Sequence, residues 1–176
     1  MATPLARKLY KKHRGSNGMG VMKKKSGFTV VELVVVLAVL SIFVAIGVPN
    51  FMSWIPKYRL KSAARDLYSN MQLAKMTAVK SNVDCTITYS TDPDQYVLSG
   101  ALSKTVVLGD YGSGVNFNGP ANETFAATTI TFNSRGTSDA GYAYLSNSGN
   151  TQYFRVSPLT SGVIKLQKWV GGSSWE

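Results

Sequence analysis

Glu32 is the residue most out of place in this sequence. It is the one acid in FTVVELVVVLAVLSIFVAIGV at 28–48, where every other side chain is apolar or small. A carboxylate one helical turn into hydrocarbon costs at least ~2.5 kcal/mol on insertion scales, so such a residue is kept for a function. The chemistry open to it is pairing with a cation. Other candidates are few: His13, the only histidine, lies in a basic stretch with no second base or ligand beside it, and Cys85 is the only cysteine. That excludes an intramolecular disulfide and a cysteine metal cluster. Asp92, Asp94 and Asp110 are separated by turn residues and read as solvated loops. No nucleophile, base and orienting group occur together, so the expectation is a non-enzymatic protein with no catalytic residue, metal or cofactor.

The formal charge of +10 invites a nucleic-acid or membrane-surface reading, but its distribution argues otherwise. Residues 1–27 hold eight of the 19 basic residues and none of the nine acids, which leaves 11 basic against nine acidic groups in the rest. The basic pI therefore describes the first 27 residues more than it does the body of the chain.

These residues need elements to position them. At ~1.5 Å per residue, the 21 residues of 28–48 reach about 32 Å as a helix, enough to cross a bilayer. Lys23, Lys24 and Lys25 precede the stretch and no comparable basic cluster follows, which predicts a cytoplasmic N-terminus and a periplasmic remainder. A secretory signal peptide is the competing reading. Against it stand the length of the stretch, the charge at Glu32, and Val48, Pro49, Asn50 and Phe51 where small residues would mark a cleavage site. A plain single-span anchor is the other alternative, which only Glu32 and the residues around Gly27 argue against.

Beyond Pro49, Leu60, Ala63, Ala64, Leu67, Met71, Ala74 and Ala78 recur at three- and four-residue steps, predicting an amphipathic helix to about residue 80. Lys57, Lys61, Arg65 and Lys75 fall off that stripe. Gly47, Pro49 and Pro56 predict a kink or a locally melted turn between the halves. From Asp84 the period changes to two, with strands expected from there and at 95–99, 104–108, 128–133, 143–146, 152–156 and 163–168. Turn residues at 92–94, 118–120, 134–136 and 147–150 divide them. Successive strands without helices between them imply an α+β fold, one long helix packed on an antiparallel sheet or small sandwich. The expected organisation is a leader at 1–27, an apolar helix at 28–55 and a soluble domain at 56–176.

The run KKKSGFTVVEL at 23–33 combines a basic cluster, a glycine, a phenylalanine and a glutamate four residues on, followed by a membrane-length helix. It resembles the class III signal of type IV pilins and type II secretion pseudopilins. The resemblance implies cleavage between Gly27 and Phe28 by prepilin peptidase at the cytoplasmic face, then N-methylation of Phe28. Glycine suits the cut because it carries no bulk and leaves helical geometry easily. The freed amine of Phe28 would then offer Glu32 of a neighbouring subunit a cation, neutralising both in a dry helix bundle and setting axial register. Implied partners are other pilins or pseudopilins, the peptidase and methyltransferase, and an inner-membrane assembly platform. A start at Met22 would leave a compact leader, so residues 1–21 are expected to be a start-site artefact or a disordered extension.

Further on, ITFNSRGT at 130–137, YLSN at 144–147 and YFRVS at 153–157 resemble the family shared by the H-type pseudopilin GspH and the pilus protein FimT. This implies a pilin-like fold and a minor subunit of a secretion pseudopilus or type IV pilus. Arg135 and Gly136 read as a hairpin turn. Some FimT-like relatives bind DNA through Gly-Arg-x-Arg; the matching positions here are Gly162, Val163, Ile164 and Lys165, so one cation stands where two are needed. Lys168, Arg155 and Trp169 would add only a weak basic surface, and phosphate binding scales with the number of cations. DNA capture is therefore the less favoured alternative.

Overall fold

A computed structural model describes residues 27–172 and 174–176. The basic residues Lys23, Lys24 and Lys25, with His13 and Met22, lie outside the described residues. The chain divides into two units after Ser41. Helix α1, Val30–Ser81, is the one element that belongs to both.

In the first unit the described residues are the start of α1 and the three residues before it. Their apolar side chains are exposed, Val30, Val31, Leu33 and Val34 among them, so no described residue covers this surface. The helix passes the length and hydropathy requirements for crossing a membrane.

The second unit holds the core. Leu60, Ala63, Ala64, Leu67, Met71, Ala74 and Ala78 of α1 are all fully buried, so the predicted stripe is the buried face. The helical assignment runs through Gly47, Pro49 and Pro56 without a break, so the melted turn expected there is not found. Each proline removes one amide donor.

After α1 come β1 Cys85–Thr91, β2 Asp94–Ser99, β3 Lys104–Val107, a 3-10 turn at Leu108–Tyr111, and β4 Thr129–Phe132. Then follow β5 Ala143–Ser146, β6 Tyr153–Pro158, β7 Ile164–Gly171 and β8 Ser174–Trp175. They form two four-stranded antiparallel sheets, ordered β3-β2-β1-β4 and β5-β6-β7-β8. Alternation decides which side chains turn inward. Cys85, Ile87 and Tyr89 of β1, Tyr96 and Leu98 of β2, Ile130 and Phe132 of β4, Leu145 of β5, and Phe154 and Val156 of β6 join the helix stripe in one hydrophobic cluster. The α+β expectation holds, in its two-sheet form.

Turns close where the sequence marks them. Thr91 pairs with Asp94 across the first hairpin. At the β5–β6 turn, the Asn147 carboxamide oxygen accepts from the amides of Thr151 and Gln152, and Asn150 takes φ 49°. At the end of β4, Asn133 Oδ1 accepts from the amides of Arg135 and Thr137. Arg135 and Gly136 thus form a turn whose hydrogen bonds are internal. Gly136 there meets Gly162: a Cβ on Gly162 would stand 1.8 Å from the Gly136 carbonyl oxygen, and Gly162 has φ +75°. Lys75 of α1 donates to the Gly162 carbonyl at 2.8 Å. Helix and two turns are fixed together at this point.

A polar strip lies along the edge of the helix stripe. Tyr111 donates to the Asp66 carboxylate. Buried Asn70 donates to Tyr96 Oη at 2.7 Å and accepts from Lys104 Nζ at 3.0 Å. Burial pushes the phenols of Tyr96 and Tyr111 well above their ordinary range.

Candidate assembly segment and basic surfaces

Gly27, Phe28 and Thr29 precede the first helical residue, so the Gly27–Phe28 bond lies in non-helical backbone. Phe28 is 84% exposed, and space around Gly27 is open. Thr29 caps the helix: its Oγ1 accepts from the Glu32 amide at 3.1 Å, while Leu33 donates to the Thr29 carbonyl at 3.1 Å. Threonine with glutamate three residues on is the capping-box pattern. That spacing was available in the sequence and assigns the Glu32 backbone a second, local role. The Glu32 carboxylate itself makes no hydrogen bond or ion pair among the described residues. It lies in the first turn, where the helix dipole favours negative charge.

The second sheet carries the C-terminal cations. Arg155 pairs with Gln167 and Ser157 with Lys165 across β6 and β7, so Arg155 and Lys165 share a face. Both line a cleft of about 480 Å³ with Tyr142 and Pro158. Lys168 pairs with Phe154 and so has the opposite parity. The three cations singled out from the sequence do not form one patch. Arg155 is also committed within the domain, donating to Gln167 Oε1 at 2.7 Å and lying 4.6 Å from the Trp175 ring centre. Trp175 in turn stacks on Tyr144 and meets Trp169 edge-on. Trp175 is a packing residue that the strand pattern did not reveal. Among the described residues, no group of three or more His, Cys, Asp or Glu residues could hold a metal ion.

The family model described as Type II transport protein GspH matches residues 63–162, from the buried helix stripe to the turn before β7. The chain belongs to the GspH family. A second model, the prokaryotic N-terminal methylation motif, matches residues 22–48 and so includes Gly27, Phe28 and Glu32. Among solved structures, this GspH-family chain is similar to the minor pseudopilin EpsH from the type 2 secretion system of Vibrio cholerae. Identity is 15% over 61% of this chain and 95% of that one, with a TM-score of 0.48. No curated protein sequence matches.

Proposed function

We propose that this chain is a minor pseudopilin, a structural subunit of the type II secretion machinery that is anchored by the apolar part of α1 and assembled with other pseudopilins into a fibre. The observation that carries this reading is the succession, on one chain, of a methylation motif at 22–48 and a GspH domain at 63–162. Prepilin peptidase cuts between Gly27 and Phe28, and Phe28 is then methylated. The bond's place ahead of the Thr29 cap supports this, because a peptidase needs chain that is not wound into a helix.

In the assembled fibre, Glu32 accepts the Phe28 ammonium group of an adjacent subunit. Support comes from a carboxylate with no partner among the described residues, in an exposed apolar helix. Before assembly, the helix is stored in the inner membrane, with the 56–176 domain in the periplasm and an assembly platform extracting the subunit. Gly47 and Pro49 provide a place for α1 to bend as it packs. The role requires no catalysis.

Mass spectrometry of the protein recovered from membranes tests the reading. A peptide beginning at methylated Phe28 is expected. An intact Gly27–Phe28 bond in cells with active peptidase would overturn it.

A further inference from the structure

Opposite its buried stripe, α1 carries Phe51, Trp54, Tyr58, Lys61 and Arg65 at three- and four-residue steps, so one helix face passes from aromatic to basic. Phe51, Trp54 and Tyr58 are 61%, 56% and 59% exposed. Their rings follow one another with centroids 6.4 and 5.4 Å apart. Trp54, Tyr58, Lys61 and Arg65 line a cleft of about 280 Å³. Lys57, around the helix, lines a second cleft of about 420 Å³ with Lys168 and Trp169 of β7.

The charges here are unanswered. Among the described residues, the side chains of Lys57, Lys61, Arg65 and Lys168 form no ion pair or hydrogen bond. No acid lines either cleft. Glu176 pairs by its backbone with Lys168 and is the acid nearest along the strands, which makes Lys168 the weakest of the four cations.

We propose that this face is a binding surface for the phosphate headgroups of anionic phospholipids. The inference rests on the reading above that the helix at 28–55 is anchored in a bilayer. Tryptophan and tyrosine concentrate where hydrocarbon meets headgroups, and lysine and arginine just beyond are attracted to anionic lipid. Counted from Val48, where the 28–48 span ends, the helix rises about 4.5 Å to Phe51, 9 Å to Trp54, 13.5 Å to Lys57 and 19.5 Å to Lys61. Headgroups occupy about 5–8 Å outside the hydrocarbon on each side. Helical side chains lean toward the N-terminus, which brings Lys57 back toward that layer, while Lys61 and Arg65 stand beyond it and act through their field. A second copy of this face would set like charge against like charge, so a phosphate-bearing partner is the complementary occupant.

The test reconstitutes the full chain in nanodiscs of equimolar phosphatidylcholine and phosphatidylglycerol, extracts it gently and identifies retained lipid by native mass spectrometry. Retained phosphatidylglycerol is expected in excess. The excess should fall at least about fivefold in the Lys57→Gln/Lys61→Gln variant, since one cation near the headgroups contributes a factor of about five. Lys80→Gln, which removes a cation elsewhere on the helix, should leave it unchanged. Equal retention of both lipids, or an excess unaffected by the double change, overturns the inference. So does loss of self-association in neutral lipid on that change, which would make the face a protein interface. A chain that fails to enter nanodiscs at all contradicts the anchoring reading instead.

Discussion

Glu32 and Asn70 are both polar groups on an apolar helix, and they are there for opposite reasons. Asn70 is 3% exposed and satisfied on both sides of its amide, by Tyr96 and Lys104. Replacing it with alanine leaves a buried hydroxyl and a lysine without their partner, a cost of about 1–3 kcal/mol in unfolding free energy. Denaturant unfolding of Asn70→Ala should show that loss with an unchanged fold. Glu32 is exposed and its carboxylate has no partner among the described residues, so its value should appear between molecules. Glutamine there keeps the capping pattern but removes the charge. Glu32→Gln is predicted to insert in membranes normally yet fail to enter fibres, measured by crosslinking and fibre recovery. Wild-type incorporation would show that capping was the residue's whole contribution. The phenols of Tyr96 and Tyr111 add a pH dependence. Their folded pKa values are raised, so their stabilisation is complete below about pH 10, the value in an unfolded chain. Above that pH the unfolded chain releases protons that the folded one retains, and the stabilisation is progressively lost. Denaturation midpoints should fall between pH 9 and 11, and fall less in a Tyr96→Phe variant.

Elements were legible in the sequence where a single period dominates. Leu60 through Ala78 keep helical spacing without interruption, and all seven predicted stripe residues are buried. Ile87 and Leu98 sit in plain alternation, and their strands lie close to where that pattern places them. Half-buried Asp66 and buried Asn70 were not legible as residues of the domain's polar strip, because hydrophobic periodicity is silent about a polar group that is satisfied by a distant partner. Strand β8 was missed for another reason: it is two residues long and pairs with β7 across an irregular register. The Thr29 cap left a signal in the spacing to Glu32. The cations after the apolar segment also have a collective meaning that the sequence obscures. Lys57, Arg59, Lys61 and Arg65 are dispersed by residue number, yet Lys61 and Arg65 share a cleft with Trp54 and Tyr58. At the helix–turn junction, Gly162→Ala forces a Cβ onto a carbonyl oxygen at a positive φ. It should destabilise the domain by at least about 2 kcal/mol, read by thermal unfolding.

For the molecule as a whole, the hydrophobic cluster begins at Leu60 and draws on α1 and strands of both sheets. Residues 56–176 should therefore fold without the apolar helix, giving a soluble species with one cooperative unfolding transition. Aggregation of that fragment, or a broad non-cooperative transition, would show that the preceding helix is part of the fold. The division of labour between a segment with an exposed apolar surface and a domain with a closed core suits the proposed role of a membrane-anchored subunit that assembles into a fibre.

Cys85 is 1% exposed on an inner position of β1, and it is the sole thiol. The protein thus carries a built-in chemical stopwatch. An alkylating reagent can mark it only when β1 opens, so the rate of modification during extraction from membranes would report whether the domain travels intact, with no engineered label required.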